Sequence, residues 1–229
     1  MKLIVAIPAY NEASVISDVI KSVKQTLKNL SLFQKKSVVV VDDGSSDKTG
    51  NEAVREADVV LTHVINLGLG AAIQTAFVYA RINRADVLVT FDADGQHVAR
   101  DIARLIQPII KNQADIVIGS RMLGLGRMPI LRELVNITAN YVTFITTGVK
   151  TGDSQSGLRA FNKKAIQKIN IISKGMEVSS EIFMHIKTLR LKLAEIPIKA
   201  IYTTYSRAKG QPLTDAPKVF FRLLFRIIK

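Results

Sequence analysis

Asp86-Val87-Leu88-Val89-Thr90-Phe91, followed at once by Asp92-Ala93-Asp94-Gly95-Gln96-His97, is the stretch on which the fold turns. A short run that is apolar almost throughout and rich in β-branched residues reads as a strand buried on both faces, the habit of parallel sheets. Two acids directly behind it mean that the strand opens onto a polar edge. The same grammar recurs on either side. Apolar runs at Leu3–Ile7, Val38–Val41, Val59–Ile65 and Asp115–Ile118 alternate with helix-like spacing at Glu12–Leu30, Asp47–Ala57, Ala71–Asn83 and Ala99–Asn112. With right-handed crossovers this predicts an α/β fold, a doubly wound, mostly parallel sheet with helices on both faces.

Ligands of such sheets sit beyond the carboxyl ends of the strands. Polar clusters follow each predicted strand in turn: Pro8–Glu12, Asp42–Asp47, Asn66–Gly70, Asp92–His97 and Gly119–Arg121. Five clusters therefore converge on one edge. Beyond Arg121 the alternation stops. Gly124, Gly126 and Pro129 mark a loop, Ile130–Thr147 reads as a helix with Asn136, Asn140, Thr143 and Thr147 on one polar stripe, and Gly152–Gly157 is turn-rich. A helix at Met176–Arg190, a strand at Ala194–Ile198 and a loop at Tyr205–Asp215 complete the reading. It divides the chain into a ligand-binding half at 1–121, a second half of the same domain at 122–212, and a basic tail at 213–229.

Composition narrows the chemistry. The chain has 229 residues and no cysteine, which excludes disulfides, zinc–thiolate sites and thiol catalysis and fits a reducing compartment. Its net charge of +13 calls for anionic partners, and Lys199–Lys229 carries seven basic residues against one acidic. No apolar run reaches the roughly 20 residues needed to span a bilayer, and Met1–Pro8 lacks a signal-peptide cleavage region. In Lys218–Lys229 the basic residues fall at 218, 222, 226 and 229, leaving Val219, Phe220, Leu223, Leu224, Ile227 and Ile228 for the rest of a helical surface. That pattern predicts an amphipathic helix lying on an anionic membrane surface.

Asp92 and Asp94, one residue apart past a strand, suit a hard divalent cation that bridges to phosphates, with Gln96 as a nearby neutral oxygen. Asp42 and Asp43 read two ways, as acceptors for a base or ribose or as the end of a turn capped by Ser45, Ser46 and Asp47. Gly68-Leu69-Gly70 follows the third strand rather than the first, so it predicts close backbone packing in place of a dinucleotide fingerprint. His63 and His185 read as structural; His97 is a site candidate.

These pieces, with Asp153-Ser154-Gln155-Ser156-Gly157 and Glu195-Ile196-Pro197-Ile198, resemble family 2 glycosyltransferases, in particular the dolichol- and polyprenol-phosphate sugar synthases. The ordered set covers about residues 3 to 210. The resemblance implies the GT-A fold and an inverting transfer from a GDP- or UDP-sugar to a polyprenyl phosphate, with Mg²⁺ or Mn²⁺ as cofactor. Pro8, Tyr10, Glu12, Val41 and Asp43 would surround the nucleoside, and Asp92, Ala93, Asp94 and Gln96 the metal and diphosphate. Arg121 would contact phosphate or sugar, and Arg207 with Lys209 would form a late cationic clamp. The expected location is peripheral, on the cytoplasmic face of a membrane, with room for a separate membrane subunit.

Acceptor chemistry decides whether a base is needed. A phosphate monoester is already ionised at neutral pH, whereas a saccharide hydroxyl, the alternative acceptor, needs a carboxylate within hydrogen-bond reach; Asp153 is the candidate. A nucleic-acid-binding module would also be basic, but here the strand ends are acidic and the cations gather with Phe and Leu at one end. No nucleic acid is expected as a partner. A catalytically dead docking subunit would have no use for Asp92, Asp94 and Asp153.

Overall fold

The computed structural model describes residues 1–124, 130–199 and 201. Its strands are β1 (Lys2–Ala9), β2 (Lys35–Asp42), β3 (Val59–Thr62), β4 (Val87–Thr90), β5 (Ile116–Ser120), β6 (Arg159–Asn162) and β7 (Leu193–Pro197). Its helices are α1 (Ile16–Lys28), α2 (Thr49–Glu56), α3 (Leu69–Ile82), α4 (Asp101–Leu105), α5 (Gln107–Ile110), α6 (Ile130–Thr147), α7 (Lys163–Lys168) and α8 (Val178–Thr188). The strands form one sheet in the order β3-β2-β1-β4-β6-β5-β7, antiparallel only where β6 meets β4 and β5. The α/β, mostly parallel expectation holds.

Successive residues of a strand point to opposite faces, and the middles of β1 and β2 are apolar at every position, so each feeds two cores. Leu3, Val5 and Ile7 of β1 join one layer with Val38 and Val40 of β2; Ile4 and Ala6 join the other with Val39 and Val41. The first layer is closed by α1, through Ile16, Ile20, Val23 and Leu27, together with α4 and α5. The second is closed by α3, α7 and α8, with Phe77 of α3 edge-on to Phe161 of β6 at 4.9 Å between ring centres. Each large side chain so buried contributes about 1.5–3 kcal/mol.

Four departures from the sequence reading have physical causes. The strand expected at Val59–Ile65 ends at Thr62, because His63 turns its ring to Asp43 and Thr75 and leaves Val64 98 % exposed. The helix expected at Ala99–Asn112 divides into α4 and α5 at Pro108, which brings no N–H to an i→i−4 bond. Helix α1 begins four residues after Glu12, whose carbonyl takes the turn bonds from Val15 and Ile16. Finally, β6 and α7 were not foreseen. Because β6 runs against its neighbours, its beginning lies at the edge where the parallel strands end, and it draws the 152–158 loop there.

Gly68 and Gly70 serve a close approach, as expected, but the partner is the 173–174 backbone. Gly70 N donates to Lys174 O at 2.7 Å, and a Cβ on Gly70 would lie 1.9 Å from Ser173 O. Among the described residues no helix is long and apolar enough to cross a membrane. The amphipathic helix expected in 213–229, the loop at Tyr205–Asp215 and the candidate residues Arg207 and Lys209 lie outside the described residues.

Candidate active site

The loops after β1 and β2 are sewn together. Asn11 N donates to Ser45 Oγ at 3.0 Å, Ser46 N to Asn11 Oδ1 at 2.9 Å and Glu12 N to Thr49 Oγ1 at 2.7 Å. Asp47 accepts from the Thr49 backbone and hydroxyl and from Ala13 N, and Asp42 Oδ1 accepts from Ser45 N at 3.1 Å. Asp43 holds the third loop: its carboxylate accepts from Leu67 N at 2.9 Å and Gly68 N at 2.8 Å and meets His63 Nδ1 at 2.7 Å. These are three of the roughly four hydrogen bonds a carboxylate accepts. The turn-forming reading is thus realised for Asp42, whereas Asp43 ties β2 to the loop after β3. Val41 is fully buried in the second core layer, so its side chain cannot face a nucleoside. Pro8 is half-buried at the end of β1, Tyr10 is exposed beyond it and Glu12 is buried.

Past β4, the acid pair has an asymmetric environment. Burial works against ionised Asp92, but the hydrogen bond from His97 Nε2 at 3.0 Å and the Arg121 and Arg159 charges outweigh it and hold the group below the usual carboxylate range. Burial pushes Asp94 up to about 6, and the nearby charges of Asp92 and Glu12 add to that. The bond from Gln96 N at 2.9 Å only partly offsets them. Two carboxylates under such repulsion fit a divalent cation, which relieves it directly. Among the described residues no group of three or more acidic or histidine side chains is placed to hold a metal. Asp92 and Asp94 would then leave most of the coordination shell to phosphate and water, as Mg²⁺ sites commonly do. Gln96 contributes its backbone: N–H to Asp94, and O to Ile201 N at 2.8 Å. Ala93 is buried between the two acids. Gly157 gives Asp92 its room, since a Cβ there would lie 2.0 Å from Asp92 Oδ1.

Across the edge, Arg121 grips Asp153 with a bidentate fork, Nε to Oδ2 and Nη2 to Oδ1, both at 2.7 Å. Asp153 also accepts from Arg121 N at 2.9 Å and from Asn136 Nδ2 at 3.0 Å, and is fully buried. Burial alone would raise its pKa, but the Arg121 and Asn136 contacts outweigh it and hold the group below the usual range. These contacts favour an anchoring role over a base role. A carboxylate with four donors and a depressed pKa is a weak proton acceptor, and its geometry is that of a group that positions Arg121.

Arg159, at the start of β6, is a site residue the sequence reading missed. It is buried, donates from Nη2 to Ser154 O at 2.8 Å and Ser179 Oγ at 3.2 Å, and sits within the field of Asp92, Asp153 and Arg121. Burial brings its pKa down to about 10, leaving it cationic at neutral pH. The signal was a lone Arg in the apolar run Leu158–Phe161. His97, only a candidate in the sequence, lies against Asp92, while His63 and His185 are bonded to Asp43, Thr75 and the Asn170 carbonyl.

An acidic pair within the field of two guanidinium groups, Arg121 and Arg159, is a combination that suits a metal-bound diphosphate. Residues 4–169 match the model of the family described as glycosyl transferase family 2. The chain belongs to glycosyl transferase family 2. It is 40 % identical over 99 % of its length to an uncharacterized protein of Methanocaldococcus jannaschii, covering 93 % of that protein. It is 37 % identical over 95 % of its length to a UDP-N-acetylglucosamine–dolichyl-phosphate N-acetylglucosaminyltransferase of Methanococcus voltae, covering 93 % of it. To an undecaprenyl-phosphate mannosyltransferase of Micrococcus luteus it is 31 % identical, covering 91 % of this chain and 87 % of that one. The fold of this family 2 chain matches glucosyl-3-phosphoglycerate synthase from Mycobacterium tuberculosis. With phosphoglyceric acid bound, that structure gives a TM-score of 0.76 at 18 % identity, over 99 % of this chain and 80 % of that one. The same enzyme has been crystallised with Mn²⁺, UDP and phosphoglyceric acid.

Proposed function

We propose that this family 2 chain is an inverting, metal-dependent transferase. It moves a sugar from a GDP- or UDP-sugar to the phosphate of a polyprenyl phosphate at the cytoplasmic face of a membrane. The observation that carries the choice of acceptor is the saturation of Asp153. Transfer to a hydroxyl needs a free carboxylate base, and the candidate is consumed by Arg121, a backbone N–H and Asn136. A phosphate acceptor asks for none, being ionised near neutral pH with a second pKa of about 6. The relatives named for dolichyl and undecaprenyl phosphates support the same choice.

In this reading a phosphate oxygen of the acceptor attacks the anomeric carbon from the face opposite the diphosphate. The new C–O bond forms as the old one breaks, and the electron pair leaves with the nucleoside diphosphate. Asp92 and Asp94, with Gln96 beside them, would hold Mg²⁺ or Mn²⁺. Such a cation supplies Lewis-acid neutralisation of diphosphate charge. Arg121, fixed by Asp153, lends its positive charge to phosphate or sugar, a preorganised group of the kind that stabilises developing charge. Arg159 lends a second positive charge from beneath. Pro8, Tyr10 and Glu12 border the nucleoside, with Asp43 and Val41 acting through the loops and main chain they hold. Arg207 and Lys209, outside the described residues, would complete the phosphate clamp.

Turnover of a panel of nucleotide sugars, with and without polyprenyl phosphate, tests the reading. Product that is a glycosyl phospholipid of inverted configuration is expected. Efficient glycosylation of a soluble oligosaccharide, with none of the lipid phosphate, would overturn it.

A further inference from the structure

In the loop after β4, Asp92, Asp94 and Gln96 are half-buried, but the side chain of His97 is only 3 % exposed. Gly95, at φ +72°, turns the chain back in a conformation that glycine adopts without strain. The imidazole five residues beyond Asp92 thereby returns to it, with Nε2 3.0 Å from Oδ2. Its ring packs edge-on against Phe91, 5.7 Å between centres. An ionised carboxylate only accepts, so Nε2 carries the proton and donates it to the bond. Nδ1 is buried and has no partner among the described residues. One nitrogen is thus bound to Asp92 and the other is enclosed by protein, which leaves neither to ligate a metal. A buried nitrogen without a partner costs free energy, and a phenyl ring would fill the same space without that cost. What the imidazole adds is its one bond to Asp92.

Asp92 is confined by a second contact. It lies so close to Gly157 that no side chain fits there, and Thr90 Oγ1 fixes that glycine by donating to its carbonyl at 2.7 Å. The side chain of Asp92 still stays 35 % exposed, enough to meet a ligand. Asp94 is held differently. Among the described residues its carboxylate has one donor, the Gln96 backbone N–H at 2.9 Å. The two acids are therefore unequal, one set in place by its surroundings and the other freer to adjust.

We propose that His97 is a positioning residue, whose Nε2–H holds the Asp92 carboxylate in one orientation toward the cation while Asp94 adapts to the ion and its phosphates. This rests on the reading of Asp92 and Asp94 as the residues that hold the metal. Small divalent cations demand near-ideal geometry, and a carboxylate already oriented loses less freedom when it binds. Hydrogen bonds to ligating carboxylates from the surrounding shell are typically worth about 10–100-fold in metal affinity.

The test compares the full chain with His97→Phe, His97→Gln and His97→Asn. Phenylalanine keeps the ring against Phe91 and removes the donor. The amide of glutamine reaches as far as Nε2, whereas that of asparagine reaches only as far as Nδ1. Mn²⁺ affinity is read by electron paramagnetic resonance titration in the presence of UDP and, separately, of GDP, with the melting temperature of each variant beside it. Affinity should fall on the order of 10–100-fold in the Phe and Asn variants, and glutamine should regain most of the loss. Gln and Asn bury the same polar group, so should the Phe variant not fold, the comparison between these two decides. In parent protein labelled with ¹⁵N-histidine, pulsed spectra should show no histidine nitrogen bound directly to Mn²⁺. A Phe variant that binds Mn²⁺ like the parent, or an Asn variant equal to the Gln one, overturns the positioning role and leaves the metal reading intact. A directly bound nitrogen that disappears in His97→Gln overturns it too, by making His97 a ligand. Should the parent bind no Mn²⁺ with either diphosphate, or Asp94→Asn bind it as tightly as the parent, the metal reading itself fails and the proposal falls with it.

Discussion

Asp94 is pushed up to about 6 by burial and by the charge of Asp92, so neutralising it relieves a repulsion the fold otherwise carries. Asp94→Asn is therefore expected to keep or slightly raise the melting temperature while removing half of the cation's carboxylate pair. Turnover should drop on the order of 10²-fold or more, and Mn²⁺ affinity, read by electron paramagnetic resonance titration, should drop with it. Full activity of the variant in chelator would end the metal assignment. Asp153 calls for the opposite outcome. Asp153→Asn keeps one acceptor for Arg121 but loses the charged fork, so it should cost on the order of 10²-fold in kcat/KM through misplacement of the guanidinium. The pH–rate profile should keep its shape; loss of an acidic limb in the variant would show that Asp153 titrates as a base after all. The difference between these acids was only half legible in the sequence. Asp92 and Asp94 follow a strand directly, and position along the chain is enough to place them at the edge. The partner of Asp153 lies 32 residues back, and a bidentate contact at that separation leaves no local pattern. Arg159 was hidden for a related reason: one Arg in an apolar run looks like an interruption until the strand's direction is known.

At the level of elements, the long periodic segments were readable and the short ones were not. Strands β1, β4 and β5 and the second half of β2 are buried on both faces and therefore largely apolar, a pattern that survives without any knowledge of neighbours. Strand β6 has four residues, and only its pairing with β4 and β5 makes it a strand. Asp115 holds that insertion together. Its carboxylate accepts from Asn162 Nδ2 at 2.8 Å and Lys164 Nζ at 3.2 Å after β6, and from Lys192 N at 2.8 Å before β7. Burial opposes its ionisation, but these donors outweigh it and its pKa lies below the usual value. A depressed folded pKa contributes stability that is complete above the unfolded value of about 3.9 and is lost as the pH falls through the folded one. Asp115→Ala should cost about 1 kcal/mol at neutral pH, since it removes the acceptor shared by three part-buried donors. The gap in melting temperature between variant and parent should narrow below about pH 4. A gap that is constant from neutral to acid pH would mean that the ionised carboxylate is not what the sheet uses.

For the whole molecule the question is how a chain with no membrane-crossing helix among its described residues would reach the lipid phosphate proposed as its acceptor. Two candidate contacts are separate in sequence and different in character. The outer stripe of α6 is chiefly apolar and uncharged, whereas Lys218–Lys229 has four basic residues spaced for one helical face. They should therefore answer differently to salt. Each cation near an anionic leaflet contributes about 1 kcal/mol at most, within a Debye length of about 8 Å at physiological ionic strength. Deleting Lys218–Lys229 should weaken binding to anionic vesicles on the order of 10²-fold at low salt and far less at high salt. Replacing Ile137, Tyr141 and Ile145, exposed apolar residues of α6, with serine should weaken it by a similar factor at both, because apolar insertion is not screened. Two linked contacts on one surface reinforce each other through effective concentration, so removing both should release the chain completely where either change alone does not. Donor binding, measured with a nucleotide sugar in the absence of lipid, should be nearly unchanged by the deletion, while turnover of vesicle-borne acceptor falls. If the truncated chain sediments with anionic vesicles as well as the intact one at every salt concentration, the tail is not an anchor and the membrane contact lies elsewhere on the molecule.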